Sequence, residues 1–298
     1  MEIEAKVNDA QNKLWDILPR RPILTQLATG FSFTEGPIWC GDYLLFSDIP
    51  QNRIVKLKIR DNGPEVTTFR CPSGNSNGLT LDTSGRLIIC HHSMRAVTRI
   101  CIDSSADVLA TRYQKKRLNS PNDVVVRSDG SIFFTDPPYG LKDLSVWKEQ
   151  DFNGVYRISP DGELLLLVDD FERPNGLAFS PDESVLYIDD SAKKHIRAFD
   201  VSRSGSLCNG RIFLDMQDTE PGVPDGMKVD VQGNIYCTGP GGIWIVSPEG
   251  EYLGRIVLPE IPSNLAWGGA DKKTLYITAR SSVYCMLMKI PGNTVATV

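Results

Sequence analysis

The 298-residue sequence lacks several features that would assign it to a class of protein at once. It has no apolar run near the roughly 20 residues that a transmembrane helix needs. Its 32 Lys and Arg against 37 Asp and Glu give a formal net charge of −5, which argues against a nucleic-acid partner. Its first residues, MEIEAKVNDAQNKLWDILPRR, lack the basic and then apolar pattern of a secretion signal. We therefore expect a cytoplasmic protein with neither nucleic acid nor a membrane as partner.

Cysteine is present, but not in a pattern that binds metal. The seven cysteines are scattered, and none forms a C-x-x-C pair, which argues against a structural zinc site. Several lie inside apolar strand patterns, where a free thiol packs as a small hydrophobic side chain. The odd number and the spacing indicate reduced thiols rather than a disulfide framework.

The sequence does contain a unit that occurs six times. Each copy has a leading polar residue, an apolar strand, a polar turn and a second apolar strand, as in NGLAFSPDESVLYIDD. A third strand generally follows, and a fourth can be read after most copies. A repeat of roughly 40–50 residues with four short strands is typical of a β-propeller. A β-sandwich would not require a polar residue before the same strand six times, so we predict an all-β, six-bladed β-propeller with four-stranded blades.

The two ends of the chain fit a closed ring. The last copy has three clear strands and little chain left for a fourth, whereas residues 23–30 form a strand upstream of the first copy. Pairing these would close the ring and protect an open sheet edge. We expect residues 23–298 to form one propeller domain. Residues 1–22 are expected to form an N-terminal extension, a short amphipathic helix packed on its outside.

The leading polar residues should meet at one mouth of the central channel, because the first strand of each blade lines that channel. This column consists of Glu35, Asn77, Asn122, Asn175, Asp225 and Asn264. Two carboxylates crowded there would repel each other without a cation. Oxygen ligands suit Ca²⁺ best, with Mg²⁺, Mn²⁺ or Zn²⁺ as alternatives. Turn capping is the competing explanation for the Asn and Asp residues, but it does not call for Glu35.

Five stretches strengthen this interpretation. In chain order they are FTEGPIW, LNSPNDVVV, FFTDPPYG, RPNGLAFSPD and PDGMKVD. Together they resemble the gluconolactonase branch of the family that also contains regucalcin (senescence marker protein). The resemblance runs from about residue 31 to the end of the last blade. It implies a six-bladed propeller that binds one divalent metal ion in its channel and hydrolyses lactones of sugar acids.

The resemblance also implies roles for individual residues. Glu35 of TEGP, Asn175 of PNGLAFS and Asp225 of PDGM correspond to metal ligands. Asn122 of SPND corresponds to a residue that touches the metal or the substrate oxygen, so it is a candidate for both. One position departs from the pattern, since regucalcin-like members have Arg two residues before this Asn and this chain has Ser120. A regucalcin-like substrate range therefore cannot be assumed, and we expect substrate contacts of the gluconolactonase type.

Lactone hydrolysis requires a polarised carbonyl, a deprotonated water and a stabilised oxyanion. A metal ion can supply the first and third and can lower the pKa of water. The resemblance assigns the general base to Asp225, the candidate catalytic residue. A metal-bound carboxylate is a weak base, so the alternative is that hydroxide activated by the metal attacks and Asp225 orients it. Asp123 would then hold a neighbouring group in place, and it is also a candidate substrate contact.

Other candidate substrate contacts lie on loops at the same mouth. His91 and His92 are adjacent at the end of a strand, so at most one faces the channel, and we favour His92 together with Arg95. Tyr139 of TDPPYG follows a second strand and would place its ring over the channel. The competing explanations are a solvated histidine at a loop end and a tyrosine that packs between loops.

Two other functions stay open at this point. The same metal ring could polarise a P=O bond, as in a metal-dependent phosphotriesterase. The propeller could also be a non-enzymatic calcium-binding protein or interaction scaffold. The partner implied by the favoured reading is a small-molecule lactone, and the chain is expected to be a monomer or a homodimer.

Overall fold

The computed structural model describes residues 1–10, 12–101 and 105–294. Within these residues the strands form six antiparallel sheets of four or five strands and one two-stranded hairpin. The predicted all-β, six-bladed propeller with four-stranded blades is therefore confirmed.

Consecutive stretches of chain build the blades, and the first strand of each is innermost. In chain order, the elements up to the end of the third blade are β1 (Glu2–Glu4), β2 (Lys6–Asp9), α1 (Leu14–Ile17), β3 (Ile23–Thr29), β4 (Thr34–Trp39), β5 (Leu44–Asp48), β6 (Arg53–Arg60), β7 (Gly63–Arg70), β8 (Ser76–Leu81), β9 (Leu87–His91), β10 (Ala96–Ile100), β11 (Ala106–Ala110), β12 (Arg112–Tyr113), β13 (Lys116–Arg117), β14 (Val124–Val126), β15 (Ile132–Asp136), α2 (Leu144–Trp147), β16 (Asn153–Ile158) and β17 (Leu164–Phe171). The remaining elements are β18 (Pro174–Phe179), β19 (Val185–Asp190), β20 (His195–Val201), β21 (Leu207–Asp215), β22 (Met227–Val229), β23 (Ile235–Gly239), β24 (Gly242–Val246), β25 (Tyr252–Val257), β26 (Pro262–Gly268), β27 (Thr274–Ala279) and β28 (Ser282–Leu287). Both helices of the described segments are single turns, and neither is long enough to cross a bilayer.

The innermost strands form the wall of the channel. In the order β4, β8, β14, β18, β22 and β26, each contacts the next, and β26 contacts β4. Hydroxyl groups on second strands fasten neighbouring blades: Ser47 Oγ donates to the carbonyl of Asn77, and Thr135 Oγ1 donates to the carbonyl of Asn175, both at 2.8 Å. These bonds fix the height of each inner strand relative to its neighbour.

Apolar side chains fill the space between facing blades. Trp39 of the first blade stacks on Tyr276 of the sixth, with ring centroids 5.0 Å apart. Phe133 and Phe179 make an edge-to-face contact between the third and fourth blades, also at 5.0 Å. Burial of these rings holds the sheets face to face.

The ends of the chain meet in the sixth blade. β3 lies within the predicted strand of residues 23–30 and pairs antiparallel with β28. The sheet therefore takes three strands from the C-terminal part of the chain and its fourth from the N-terminal part. This pairing satisfies the backbone hydrogen-bonding groups of a sheet edge that would otherwise be open.

The N-terminal extension differs from the amphipathic helix expected for residues 1–22. β1 pairs with β3 at the outer edge of the sixth blade, and β2 pairs with β25 at the outer edge of the fifth. Among the described residues of this extension, helix is limited to the four residues of α1, whose Leu14 and Ile17 are buried between these two blades. Exposed sheet edges offer unpaired backbone groups, and pairing with them is more favourable than a short isolated helix.

Candidate metal and active site

Irregular strand pairing places the column residues at the channel mouth. In four blades the pairing of the innermost strand shifts register beside the column residue, between Glu35 and Ile38, Ser76 and Leu79, Pro174 and Leu177, and Pro262 and Asn264. A bulge of this kind turns a side chain away from the ladder. In the other two blades, Asn122 and Asp225 precede β14 and β22 by two residues.

A glycine directly after the column residue lets adjacent blades approach. At Gly176, an added Cβ would lie 2.0 Å from the carbonyl oxygen of Asp225 on the next blade. At Gly226 it would lie 2.0 Å from the side chain of Asn264. Gly36 and Gly78 occupy the same position in the first two blades, with similar close contacts. The column residues can converge because these positions carry no side chain.

Side-chain amides link neighbouring members of the column, which is called the ring below because its six residues come from the six blades in turn. Asn264 Nδ2 donates to Glu35 Oε2 at 2.9 Å, which joins the sixth blade to the first. Asn77 Nδ2 donates to Asn122 Oδ1 at 2.5 Å, which joins the second blade to the third. The amide nitrogens of Asn264 and Asn77 are thus directed at neighbouring column residues. Asn77 Oδ1 is buried, with no hydrogen-bond partner in the described part of the chain.

The acidic groups of the ring are close enough to perturb one another. Burial and then the nearby Asp123 raise the pKa of Glu35 to about 7, although hydrogen bonds from Asn264 and from the Gly36 amide oppose the shift. Burial raises the pKa of Asp225 well above its usual value, and repulsion from Glu35, Asp189 and Asp123 raises it further. A hydrogen bond from the side chain of Asn175 partly offsets this shift. A divalent cation between these groups would favour their ionised forms.

A divalent metal ion fits this donor set. Across the described residues, no three Asp, Glu, His or Cys side chains are placed to hold a metal by themselves. A metal site here would therefore combine carboxylates with amide oxygens, and the column supplies both. Such a set of hard oxygen ligands suits Ca²⁺.

The two adjacent histidines have different environments. His92 is buried, and its Nε2 lies 3.1 Å from Asn77 Nδ2 in the ring. Burial lowers the pKa of His92 to about 4, so the imidazole is neutral at pH 7. His91 points away, with Nδ1 2.7 Å from the carbonyl of Ser73 and Nε2 2.7 Å from Thr98 Oγ1. Only His92 contacts the column.

Arg95 lies beside His92 but outside the ring. Its Nε donates to the carbonyls of Leu118 and Asn119, at 2.7 and 3.0 Å. Arg95 and His92 line a cavity of about 200 Å³ next to the channel. The structure therefore brings the predicted pair together at a cavity rather than at the predicted metal ligands.

A loop that Ser120 holds in place brings Tyr139 near Asp225 and Asp189. Ser120 Oγ donates to the carbonyl of Pro137 at 2.6 Å and accepts from the Gly140 amide at 2.8 Å. The Tyr139 hydroxyl is hydrogen-bonded to Ser191, and burial raises its pKa to about 12. Asn175 Nδ2 donates to Ser191 Oγ at 3.0 Å, so Tyr139 is connected to the ring. Ser120 thus positions this loop, a role that the sequence did not indicate.

Sequence reasoning missed three polar residues of the channel. Asp189 on β19 is fully buried near Asp123 and Asp225, and its Oδ1 has no hydrogen-bond partner within the described residues. Ser191 lies two residues on, and strand alternation could have shown that both face the channel. Lys228 Nζ approaches Asn264 Oδ1 at 3.4 Å, a weak contact that brings a cation to an otherwise acidic ring. Its position on an innermost strand was the available signal.

The chain matches one known protein family over most of its length. The family model described as the SMP-30/Gluconolactonase/LRE-like region matches residues 33–281. The match includes all six column residues and most of the chain. The chain belongs to this family. The resemblance inferred from the motifs is therefore confirmed.

Individual members of the SMP-30/gluconolactonase family cover nearly the whole chain. A gluconolactonase of Zymomonas mobilis is 36% identical over an alignment 314 positions long, which covers 96% of this chain and 87% of the relative. The solved structure of a gluconolactonase from Xanthomonas campestris is 34% identical, with a TM-score of 0.85, and covers 96% of this chain and 95% of that one. Bovine regucalcin is 28% identical and covers 82% of each chain.

Proposed function

We propose that this protein hydrolyses lactones of sugar acids, such as glucono-lactone, with a divalent metal ion at the mouth of its channel. The observation that carries the proposal is the buried ring in which Glu35 and Asp225 meet the column amides. The expected enzyme class, a hydrolase of carboxylic esters, is confirmed by gluconolactonase relatives that cover 96% of the chain.

Glu35, Asn122, Asn175 and Asp225 would hold the metal. Their carboxylate and amide oxygens favour Ca²⁺, and Mg²⁺, Mn²⁺ and Zn²⁺ are the alternatives that the experiment below compares. When bound, the metal supplies a Lewis acid for the lactone carbonyl and for the negative charge that develops on its oxygen.

Asp225 acts as the general base in this proposal. A bound metal lowers the pKa of this carboxyl group, whereas burial and repulsion from Glu35, Asp189 and Asp123 raise it, and in this proposal the opposing effects leave the ionised carboxylate basic enough to accept a proton. It takes a proton from water as the water oxygen bonds to the lactone carbonyl carbon. The ring C–O bond then breaks, and the proton passes to the departing ring oxygen to give the open hydroxy acid.

The other predicted residues bind and orient the substrate. Neutral His92 fixes Asn77, which in turn donates to Asn122, so this chain of contacts holds Asn122 in one orientation. Asp123 is buried with its Oδ2 3.4 Å from Asn264 Nδ2, and this position within the ring supports a role as a substrate contact. Tyr139 forms the wall above Asp225 and Arg95 the wall beside His92.

The test is hydrolysis of D-glucono-δ-lactone, followed by pH-stat. Metal-stripped protein should be inactive, and added Ca²⁺, Mg²⁺, Mn²⁺ or Zn²⁺ should restore turnover to different extents. Asp225→Asn should remain inactive with every metal, whereas Asp271→Asn, at an exposed turn, should behave as the unchanged protein. A metal-loaded protein that hydrolyses neither this lactone nor a small panel would contradict the proposal. A phosphotriester substrate or a binding function would then be the alternatives.

A further inference from the structure

A cavity of about 200 Å³ lies between the end of β9 and the insertion that carries α2. Its lining includes His92, Arg95, Gly140, Lys142 and Trp147. We propose that this cavity binds a negatively charged group of the substrate, a carboxylate or phosphate at the end of the sugar chain remote from the lactone carbonyl. This inference rests on the proposed lactonase function and names the substrate class for the same site.

The buried guanidinium of Arg95 has an unused donor. Its Nε bonds two backbone carbonyls, and Nη1 lies 3.6 Å from Glu149 Oε1. Its Nη2 is buried and has no hydrogen-bond partner in the parts of the chain that the structure describes. Guanidinium can only donate hydrogen bonds, so this group calls for an acceptor. A charged acceptor gives the strongest bond.

Lys142 adds a second cation to the lining of the cavity. Its side chain is exposed, and it forms no ion pair within residues 1–10, 12–101 and 105–294. The carboxylate that lies near Arg95, that of Glu149, also lies 3.9 Å from Arg112, so its negative charge is shared between two guanidinium groups. After burial, Arg117 and Arg112 lower the pKa of Arg95, whereas Glu149 and the buried Asp136 raise it. With Arg95 and Lys142 counted, four cationic side chains face two acidic ones, so positive charge exceeds negative charge around the cavity.

The cavity lies one side chain away from the ring. His92 lines the cavity and also contacts Asn77, which donates to Asn122. An anionic group in the cavity can therefore belong to the same small molecule whose lactone group lies at Asn122. His92 is neutral near pH 7 and adds no charge of its own. Trp147 is 46% exposed and offers an aromatic wall for the carbon chain between the two groups.

The insertion explains why this cavity exists in the third blade. Residues 137–152 connect β15 to β16, and this connection carries Lys142 and α2. At Gly140, an added Cβ would lie 2.5 Å from His92 Cβ, so the loop rests directly on the histidine. Ser120 fixes the loop at Pro137 and Gly140. These contacts place Lys142 at the cavity.

The experiment compares three lactones: neutral glucono-δ-lactone, a glucaric acid lactone with a free carboxylate, and 6-phosphoglucono-δ-lactone. At low ionic strength, kcat/KM should be at least about tenfold higher for a charged lactone, and salt should reduce the difference. Lys142→Glu should remove roughly tenfold from the charged substrates and less than about twofold from the neutral one. The control Lys6→Glu, the same charge change on β2, should leave all three unchanged.

The outcomes separate this inference from the proposed function. Preference for only the carboxylate or only the phosphate supports the cavity and identifies its anion. Hydrolysis without preference, unaffected by Lys142→Glu, overturns the inference and leaves the lactonase proposal intact. If no lactone is hydrolysed, the inference is tested by calorimetry, which compares the binding of glucarate and 6-phosphogluconate with that of gluconate. Tighter binding that Lys142→Glu abolishes supports the cavity, and equal binding by both proteins overturns it.

Discussion

Asn264, on the last blade, donates its side-chain amide to Glu35, on the first blade, with 2.9 Å between Nδ2 and Oε2. The same nitrogen lies 3.4 Å from Asp123 Oδ2, so one amide lies between two carboxyl groups. Those carboxyl groups repel each other, and this repulsion, after burial, raises the pKa of Glu35. The contact that joins the ends of the propeller ring thus belongs to the candidate active site.

Replacement of Asp225 should separate catalysis from stability. We expect Asp225→Asn to lose at least about 100-fold in turnover, because a general base commonly contributes that much or more. The metal-free variant should nevertheless melt at a higher temperature than the unchanged protein, since a neutral amide relieves repulsion from Glu35 and Asp189. Thermal denaturation in chelator measures this. A lower melting temperature, with Asp271→Asn unchanged, would show that the carboxylates are not in conflict.

Stability of the metal-free protein should fall as the pH rises from about 4.5 to about 7. Folded Glu35 keeps its proton up to about pH 7, whereas the unfolded chain releases it near 4.5. The folded state therefore binds more protons in this window, and the loss is on the order of 1–3 kcal/mol. Added Ca²⁺ should offset it, because the metal favours the ionised form.

Urea unfolding at several pH values, with and without Ca²⁺, measures this dependence. Glu35→Gln should have a flatter profile and a smaller Ca²⁺ effect. The pKa of Asp136 is also raised to about 7, mainly by burial, so Asp136→Asn is the matched control. It should remove its own part of the slope and keep the Ca²⁺ effect. An unchanged slope in Glu35→Gln would rule out Glu35 as its source.

The glycine after a column residue should be costly to replace. In Gly176→Ala the new Cβ would collide with the Asp225 carbonyl at 2.0 Å, and relief of the clash would displace Asp225. We expect a loss of roughly 1–3 kcal/mol in unfolding free energy together with weaker metal binding. Gly130 has a φ of +87° and open space around it, so Gly130→Ala should cost only backbone strain. Equal metal affinity in the two variants would mean that the close approach does not position Asp225.

Ser120 should act through the loop that it holds. Ser120→Ala leaves the Pro137 carbonyl and the Gly140 amide without these bonds, at a cost of about 1–3 kcal/mol. We expect KM to rise severalfold while kcat changes little, because Tyr139 and Lys142 lose their position but the ring is intact. Steady-state kinetics show this, with the exposed Ser204→Ala as control. A fall in kcat at constant KM would place Ser120 in the chemistry.

The repeat made the ring predictable from sequence. A polar residue precedes the innermost strand in all six copies of the repeat, and six such blades form a closed circle. Glu35 and Asn264, from the first and last copies, could therefore be expected to meet although they are far apart in the chain. Strand alternation likewise separated His92 from His91. Both inferences depend on local period and repetition, which a single sequence displays.

The remaining features depend on contacts that have no local signature. The pairing of β1 and β2 with outer strand edges reflects open edges elsewhere in the fold. The helix expected for residues 1–22 was therefore wrong at β1 and β2, and among the described residues it is limited to α1. Asp189 becomes part of the site because the fourth blade packs beside Asp225. The cavity at Lys142 exists because an insertion in the third blade lies against His92 from the second.

The most direct test of the account is calorimetric titration of Ca²⁺ into metal-stripped protein while lactone turnover is followed on the same samples. We predict one ion per chain, turnover that rises in proportion to the occupied fraction, and a parallel loss of both in Glu35→Gln. Full turnover without metal, or Ca²⁺ binding that Glu35→Gln leaves unchanged, would contradict the claim that the column ring is a metal-dependent active site.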